Sequence, residues 1–503
     1  MTDFSTDVAG TAAPARPDPA IPADRRGMLL YGLLGFAAGL PFYMFSTVLA
    51  LRLQAHGVAL TMLGFFAWVQ LLPTLKFVWA PLLDRYDIPG FGRFWGKRRG
   101  WIMLAQLGIF SAMVAMAATS ADASLPVTAL FAVLLAFWTT TLEVAADAWR
   151  IELYPSQDQQ GPIVAANLWG YRSAMVAAGS GALIIADSGG WALAYLMIAA
   201  AAFLPFPILV AMRPDADGGG GRGVALATGL LTSVVILATA CAVTAAIGWV
   251  VLGLAAQAGI DANSNVTPWV LGICMLPFVG MALALPRIRR APKNAPIRTS
   301  TVLGPYVDFF WRYGFAAILL MVFVSLYRMG DVLALNLSKP MIKGLGYSLT
   351  QIGRADSFVA LVASMIGVGL GGYLVTRWRM AWTLVVGAIV AAIGNFGFVW
   401  LAHQRVDEGI LYVATACDQF GNGFAGAVFV VYLSLLVNPR YPGAQYAFLT
   451  GFAFLLPRLL AGAGGAMVAV IGYDGFFLLS GVLSLAAILF IPALSRIAPR
   501  KED

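Results

Sequence analysis

The chain has 503 residues, of which 60% are hydrophobic and 11% charged, and its mean hydropathy is +0.81. Soluble domains carry about 25% charged residues, so this composition excludes a soluble globular protein and indicates a polytopic membrane protein. The formal net charge is +8, but no basic, aromatic-interleaved surface segment accompanies it, and we therefore expect no nucleic-acid partner.

Apolar stretches long enough to cross a bilayer recur along the chain. A transmembrane helix needs about 20 apolar residues, and we count fourteen such stretches. The predicted spans lie near 28–51, 61–83, 101–119, 126–147, 162–186, 190–212, 224–254, 267–286, 313–335, 349–376, 382–402, 409–437, 445–471 and 473–494. The sequence thus predicts an all-α polytopic membrane protein with two six-helix bundles and an extra central helix pair.

Basic residues concentrate in every second loop, beginning with the segment before the first span. Since positively charged loops stay in the cytoplasm, we expect both termini there and the lipid bilayer around the spans. The predicted parts are a disordered cytoplasmic tail at 1–27, an N-terminal six-helix bundle at 28–212, a linker with two additional transmembrane helices at 213–312, a C-terminal six-helix bundle at 313–494 and a cytoplasmic tail at 495–503.

Some charged residues lie inside the apolar stretches. A charge at mid-membrane costs at least ~2.5 kcal/mol on insertion scales, so it usually faces the protein interior and has a partner or a function. The clearest cases are Lys76, Glu143, Asp147, Arg172, Arg328, Asp331, Arg354, Asp356, Asp418 and Arg458. These side chains are the main candidates for a functional site.

Arg172 and Arg458 approach mid-depth on spans that correspond between the two halves. Arginine forms bidentate pairs with carboxylate and phosphate, so this pair predicts a small anionic substrate. Trp169 and Tyr171, which could stack on a sugar or a base, and Asn422 are further substrate-binding candidates. The alternative is that each arginine is permanently paired with an Asp or a Glu.

Two carboxylates, Glu143 and Asp147, are spaced i, i+4 and so share one helix face. Nearby carboxylates repel each other, which favours the binding of a proton by the pair, and Lys76 lies at a depth where it could compensate them. We therefore interpret these three residues as proton-coupling or gating groups. The alternative is a structural ion-pair cluster that closes the cytoplasmic side.

A second charged group is predicted toward the outer side of the second half. Arg328 and Asp331 are spaced i, i+3 and can pair within one helix. With Asp418 they are further proton-coupling or gating candidates, and Arg354 and Asp356 lie at the start of the next span. Structural pairing within this group is the alternative.

The loop after the second span reads APLLDRY and then GKRRGW, within 80–101. It resembles the G-x-x-x-D-R-x-G-R-R signature of the major facilitator superfamily, in which two six-helix repeats enclose a site at their interface. An Asp at a helix end beside a basic loop can hold two helices together, so Asp84 and Arg85 are gating candidates. The alternative is a basic loop that only sets the topology.

Enzyme motifs are missing from the sequence. It contains no G-x-S-x-G, H-E-x-x-H or P-loop, and its histidines and cysteines have no metal-site spacing. We therefore expect no enzyme activity, no cofactor and no metal. Without a P-loop, an ion gradient or substrate exchange is the expected driving force.

Seven stretches together resemble the anhydromuropeptide permease (AmpG) family of the major facilitator superfamily. They are GFAAGLPF (35–42), GFFAWVQLLPTLKFVWAPLLDRY (64–86), KRRGW (97–101), EVAADAW (143–149), GYR (170–172), LYRMGD (326–331) and AQYAFLTGFAFLLPR (444–458). The resemblance covers roughly 28–494, including the extra helix pair. Arg328 departs from it, since a Lys is expected there.

This resemblance implies proton-linked import (symport) of GlcNAc-anhydro-muropeptides from periplasm to cytoplasm, for peptidoglycan recycling. It also implies the bacterial inner membrane as the location, and we expect a monomer. An acetyl-CoA, nucleotide-like or drug transporter of the same wider grouping is the alternative, because an anionic substrate does not separate these. A membrane sensor that binds a ligand without moving it is an alternative of another class.

Overall fold

The computed structural model describes residues 25–56, 68–88, 94–119, 125–212, 283–292, 295–462, 464–497 and 499–500. Most of the predicted N-terminal tail and nearly all of the two extra central spans lie outside these residues. The described part of the chain is helical, without β-strands. It contains nine helices that are long and apolar enough to cross a membrane, so the count of fourteen stays a prediction.

The first half consists of helices that run up and down the bundle. A π turn at Met44–Val48 interrupts the first helix, a 3-10 helix at Trp68–Val78 precedes the second, and a π turn at Ala177–Gly181 follows the fifth. The helices are α1 at Arg25–Ala55, α2 at Ala80–Arg85, α3 at Lys97–Ala118, α4 at Leu125–Leu153, α5 at Gln157–Val176, α6 at Ala182–Ala202 and α7 at Pro205–Ala211.

The second half has the same plan. Residues 283–290 are helical, and a single turn at Pro296–Thr299 leads into the half. A π turn at Ala355–Val359 and a 3-10 turn at Ala487–Phe490 lie within it. The helices are α8 at Gly304–Tyr313, α9 at Ala316–Gly344, α10 at Leu349–Arg354, α11 at Ala360–Arg377, α12 at Met380–Ala402, α13 at Glu408–Leu436, α14 at Pro442–Gly462, α15 at Gly464–Ala486 and α16 at Ile491–Leu494.

Two glycines break the helices at matching places in the halves. Gly190 (φ +82°) interrupts α6, and Gly472 (φ +71°) interrupts α15. Only glycine adopts such positive φ values without steric cost. Gly190 lies at the predicted boundary between spans 162–186 and 190–212, and Gly472 at that between 445–471 and 473–494.

Close helix contacts position the interface between the halves. A Cβ atom at Gly170 of α5 would lie 1.9 Å from the backbone oxygen of Gly32 in α1, so these helices pack backbone to backbone. Across the halves, a Cβ atom at Gly161 of α5 would lie 2.4 Å from the backbone oxygen of Gly372 in α11. α5 is therefore held against both halves, and it carries Arg172.

Two helices extend across boundaries predicted from the sequence. α4 continues to Leu153, six residues beyond the predicted end of the fourth span at 147, so Arg150 is a buried helix residue (1% exposed) rather than a loop residue. The predicted linker at 213–312 contains most of α8, whose apolar face packs into the second half. In both cases charged or aromatic residues at the helix end form hydrogen bonds or ion pairs inside the protein. Hydropathy alone does not predict such partners.

Candidate functional site

A cavity of about 140 Å³ lies between the two halves. Arg172 of α5 lines it from the first half, and Arg328 of α9 and Asn422 of α13 line it from the second. The other lining residues are Leu168, Val368, Gly423, Gly426, Phe429, Val430, Thr450 and Phe454. Since a water occupies about 30 Å³ of liquid, the cavity holds a small group such as a carboxylate, and a larger solute requires the halves to separate.

Arg172 contacts the opposite half through neutral amides. Its Nη1 donates to Gln419 Oε1 (3.3 Å) and its Nη2 donates to Asn422 Oδ1 (3.1 Å). Within the described residues, Arg172 forms no ion pair. The structure therefore does not show the permanent Asp or Glu partner that was the alternative for Arg172. The positive charge of Arg172 is available to an anion.

The second arginine in the cavity is Arg328, which is buried. Its Nη1 pairs with Asp331 Oδ2 at 2.7 Å, the i, i+3 contact predicted from the sequence, while its Nε is buried without a hydrogen-bond partner. Gly426 faces its Nη1, where a Cβ atom would stand 3.8 Å away. A buried donor that lacks an acceptor costs about 1–3 kcal/mol, which favours an incoming acceptor at this place.

Arg458 lies beside this cavity without lining it. Its Nη1 donates to Thr74 Oγ1 of the first half, and its guanidinium lies 5.7 Å from the centre of the Phe454 ring. The same ring is 5.5 Å from the guanidinium of Arg328. The structure therefore brings Arg172 and Arg328 together at the cavity, whereas the sequence had paired Arg172 with Arg458.

The aromatic candidates are close to the cavity but outside its lining. Trp169 Nε1 donates to the backbone oxygen of Met365 in the second half at 2.8 Å. Tyr171 packs at 6.3 Å, between ring centres, against Phe42 of α1. Their role in stacking on a substrate stays a prediction.

Glu143 and Asp147 have separate cationic partners. Lys76 Nζ lies 3.5 Å from Glu143 Oε2, and Arg150 Nη2 lies 2.9 Å from Asp147 Oδ1. Arg150 also donates to Ser434 Oγ of the second half at 3.0 Å. The two carboxylates are thus parts of two ion pairs, and Asp147 is tied to the contact between the halves.

Asp418 differs from the other carboxylates in the spans. Its Oδ2 accepts a hydrogen bond from Gln419 Nε2 at 2.9 Å, and no cationic group lies within ion-pair distance of it among the described residues. Arg354 pairs with Glu408 at 3.2 Å and Asp356 with Lys339 at 2.7 Å. The predicted outer group of charges is therefore split into separate pairs, with Asp418 outside them.

Asp84 holds the halves together at one end of the bundle, which we call the Asp84 end. Its Oδ1 accepts from the backbone N–H of Gly443 (3.1 Å) and its Oδ2 from that of Ala444 (2.7 Å), at the N-terminus of α14. Arg98 Nη2 lies 2.8 Å from the same carboxylate. A carboxylate at a helix N-terminus interacts favourably with the helix dipole. The neighbouring Arg85 is exposed.

Further contacts close the same end. Tyr306 of α8 donates its hydroxyl hydrogen to the backbone oxygen of Phe77 in the first half, and both rings pack against Phe448. Gln157 Nε2 donates to the backbone oxygen of Val375 at 2.6 Å. These hydrogen bonds between the halves lie between Arg172 or Arg458 and the Asp84 end.

Sequence reasoning missed three residues of this closure: Arg98, Arg150 and Tyr306. Arg98 precedes the predicted span at 101–119 and Arg150 follows the one at 126–147, so their positions indicate only charges in loops. Tyr306 lies in GPYVDFFWRY, whose apolar and polar residues alternate with a helical period. This period indicates a helix, but the segment is shorter than the about 20 apolar residues of a span, so a search for spans does not select it.

Comparisons with known proteins agree with this architecture. No protein-family model matches the sequence. The chain is 26% identical over 465 residues to "Putative transporter AmpG 4" of Rickettsia conorii, covering 92% of this chain and 95% of that protein. It is 25% identical over 464 residues to "Anhydromuropeptide permease" of Escherichia coli K12, covering 91% and 78%. Relatives with these names are transporters rather than enzymes, as expected for this chain.

Solved structures share the fold. The proton:xylose symporter XylE, bound to 6-bromo-6-deoxy-D-glucose, has a TM-score of 0.60 at 16% identity and covers 94% of this chain and 96% of its own. The human organic anion transporter MFSD10 (TETRAN) has a TM-score of 0.55 at 14% identity and covers 94% and 100%. The chain is thus an integral membrane protein with the major facilitator superfamily fold and a homologue of the AmpG permeases.

Proposed function

We propose that this protein is a secondary transporter that imports anionic anhydromuropeptides (GlcNAc-anhydroMurNAc peptides) from periplasm to cytoplasm together with protons, for peptidoglycan recycling. The observation that carries the proposal is the pair of arginines, Arg172 and Arg328, which line one cavity from opposite halves. Arg172 has only amide partners there. A carboxylate between the two guanidiniums would bind both halves at once.

The substrate class follows from the charge of the cavity and from the relatives. Two guanidiniums with one paired carboxylate, Asp331, leave a positive balance, which suits a peptide or sugar carboxylate. Phosphates of an acetyl-CoA-like solute would fit the same charge. The muropeptide is the first choice because relatives with that name match over nine-tenths of the chain.

Proton coupling is supported by the carboxylates inside the spans and by the fold. Glu143, Asp147, Asp331 and Asp418 are carboxylates placed where protonation changes the charge near the interface. The symporter with the same fold is named as proton-coupled, which makes a proton gradient a reasonable energy source here.

The direction of access follows from where the halves touch. The Asp84 end, which we assign to the cytoplasm from the basic loops, is closed by hydrogen bonds between the halves. A solute that enters from the periplasmic side would meet Arg172 and Arg328 before this closure. Release to the cytoplasm would then require the contacts of Asp84 with α14 to open.

Uptake into proteoliposomes tests the proposal directly. Labelled anhydromuropeptide should accumulate when the inside is made alkaline, and unlabelled muropeptide should compete better than acetyl-CoA. Arg172→Ala should abolish uptake, whereas Arg405→Ala, which removes an exposed arginine that does not line the cavity, should leave it unchanged. Failure of the wild-type protein to accumulate the muropeptide, or stronger competition by acetyl-CoA, would refute the assigned substrate.

A further inference from the structure

We propose that Gln419 connects a proton site, Asp418, to the substrate-binding Arg172, so that a proton on Asp418 releases Arg172 for the anionic substrate. This inference rests on the proposed function and deepens it, because it assigns the proton to one carboxylate and states how it is coupled. The three residues form an unbroken chain of hydrogen bonds across the interface between the halves.

The amide of Gln419 has two different ends, and each is used. Its Nε2 donates to Asp418 Oδ2 at 2.9 Å, and its Oε1 accepts from Arg172 Nη1 at 3.3 Å. Arginine is a donor only, and an ionised carboxylate is an acceptor only. The orientation of the amide is therefore dictated by its two neighbours as long as Asp418 is charged.

A proton on an oxygen of Asp418 reverses this condition. The carboxylic acid gains an O–H donor, and Gln419 Oε1 can accept this hydrogen bond when the amide turns over. That oxygen is the one Arg172 uses, so the acid competes with the guanidinium for it. Protonation also removes a negative charge near Arg172. Both changes leave the guanidinium held by Asn422 alone and raise its attraction for a substrate carboxylate.

Asp418 is suited to this role because it is free of an ion pair. Among the charged groups around it, Asp331 is held by Arg328 at 2.7 Å and Asp356 by Lys339 at 2.7 Å. Asp331, Asp356 and Arg172 act on Asp418 electrostatically. Protonating Asp418 therefore breaks no salt bridge, whereas protonating a paired carboxylate leaves an uncompensated buried cation, which is costly.

Among the residues that the structure describes, the other neighbours named for Asp418 add no competing charge. On α12, Gly394 packs against it, and a Cβ atom there would lie 2.7 Å from the Cα of Asp418. Cys417, a free cysteine, precedes it on α13. Tyr43 of α1 interacts with Arg172 and Asp356 rather than with Asp418. The electrostatic environment of Asp418 is thus set by two tied carboxylates and by the arginine that it controls.

The inference predicts separable effects in two transport assays. With one proton per substrate and the membrane potential clamped at zero, a pH difference of one unit supports about tenfold accumulation. Asp418→Asn carries no titratable proton, so it should only equilibrate the labelled muropeptide. It should still exchange labelled for unlabelled muropeptide without a gradient, because Arg172 and Arg328 are intact.

A second variant tests the connection itself. Gln419→Leu removes both hydrogen bonds, so the affinity of Arg172 for the muropeptide should change less with pH than in the wild type, because only the charge of Asp418 still acts on the guanidinium. The wild-type affinity should rise on acidification. This binding measurement in detergent does not depend on transport, and it remains informative if Asp418→Asn folds poorly.

The outcomes separate the failure of the inference from that of the function. No muropeptide uptake by the wild-type protein would refute the proposed function. Wild-type accumulation together with equal accumulation by Asp418→Asn would refute the proton site and leave the function standing. An affinity of Gln419→Leu that still follows pH as in the wild type would refute the connection. If Glu143→Gln loses accumulation while Asp418→Asn keeps it, the proton site lies in the first half instead.

Discussion

The contact between Asp84 and the start of α14 should control how often the Asp84 end opens. Asp84→Asn keeps the shape of the side chain but removes its charge, and the amide nitrogen cannot accept from the backbone N–H of Ala444. The pair with Arg98 lies within the first half, so it persists when the halves separate and does not oppose opening. Among the contacts of Asp84, the two backbone hydrogen bonds and the interaction with the helix dipole are therefore the ones lost on opening.

The size of the effect follows from these contacts. A hydrogen bond to a charged group contributes about 1.5–3 kcal/mol, and a charge at a helix N-terminus adds up to about 2 kcal/mol in a buried geometry. Because asparagine can keep one neutral hydrogen bond, we expect a net loss of about 2–3 kcal/mol. That loss raises the population of the open state roughly 30- to 150-fold.

Maleimide labelling of a buried cysteine measures this population. Ala148→Cys is suitable because Ala148 is fully buried and faces Gly443, where a Cβ atom would stand 3.4 Å from that of Ala148. The three native cysteines are first replaced by serine. When opening is fast relative to labelling, the labelling rate is proportional to the open fraction. The rate should therefore rise by the same 30- to 150-fold factor.

The control is Asp187→Asn, which neutralises an exposed carboxylate in α6. It should leave the labelling rate of Ala148→Cys within about twofold of the parent. An unchanged labelling rate in Asp84→Asn would refute the reasoning, because the hydrogen bonds to α14 would then contribute nothing to closure. An equal increase in the Asp187→Asn control would show that net charge, not this contact, sets the rate.

Three further variants test other contacts. Arg328→Leu should lower the free energy of unfolding by about 3–5 kcal/mol, because it leaves Asp331 buried without its cation. In thermal unfolding, the double variant Arg328→Leu/Asp331→Leu should recover most of this loss. A double variant that recovers nothing would contradict the pairing. Tyr306→Phe should raise the labelling rate of Ala148→Cys about fivefold, since it removes one hydrogen bond of about 1 kcal/mol. A labelling rate equal to that of the parent would show that the aromatic packing of Tyr306 is sufficient for closure. Gly190→Ala should destabilise the protein by about 1–2 kcal/mol because Gly190 has a positive φ. The control Gly179→Ala has open space around its Cβ position and should leave the melting temperature unchanged. Equal melting temperatures of the two variants would show that the positive φ is not the reason for glycine at 190.

Local patterns in the sequence predicted part of the site. The spacing of Arg328 and Asp331 predicted their contact, because residues three apart on a helix are neighbours whatever the tertiary structure. The DRY and GKRRGW loop likewise indicated Asp84 as a gating residue, and Asp84 lies at the closed end. Such features depend on short stretches of chain, which periodicity and motif reasoning describe well.

Contacts between distant parts of the chain could not be predicted in this way. Arg172 meets Gln419 and Asn422, about 250 residues later in the sequence. The partner depends on how far α5 and α13 are shifted along each other, and a shift of one turn would exchange Asn422 for another residue. For the same reason, the sequence predicts Arg458 as the partner of Arg172 in binding an anion, whereas the structure places Arg458 beside the cavity, against Thr74.

The hydrogen bonds between the halves are graded along the interface. Near the cavity they join Arg172 to the neutral side chains of Gln419 and Asn422, which a solute carboxylate can replace with stronger bonds. At the Asp84 end they include the bonds of a carboxylate to a helix N-terminus, and no part of a solute in the cavity replaces these. Loading is therefore an exchange of partners, whereas unloading breaks contacts outright, so cytoplasmic release should be the slower and more temperature-sensitive step of the cycle.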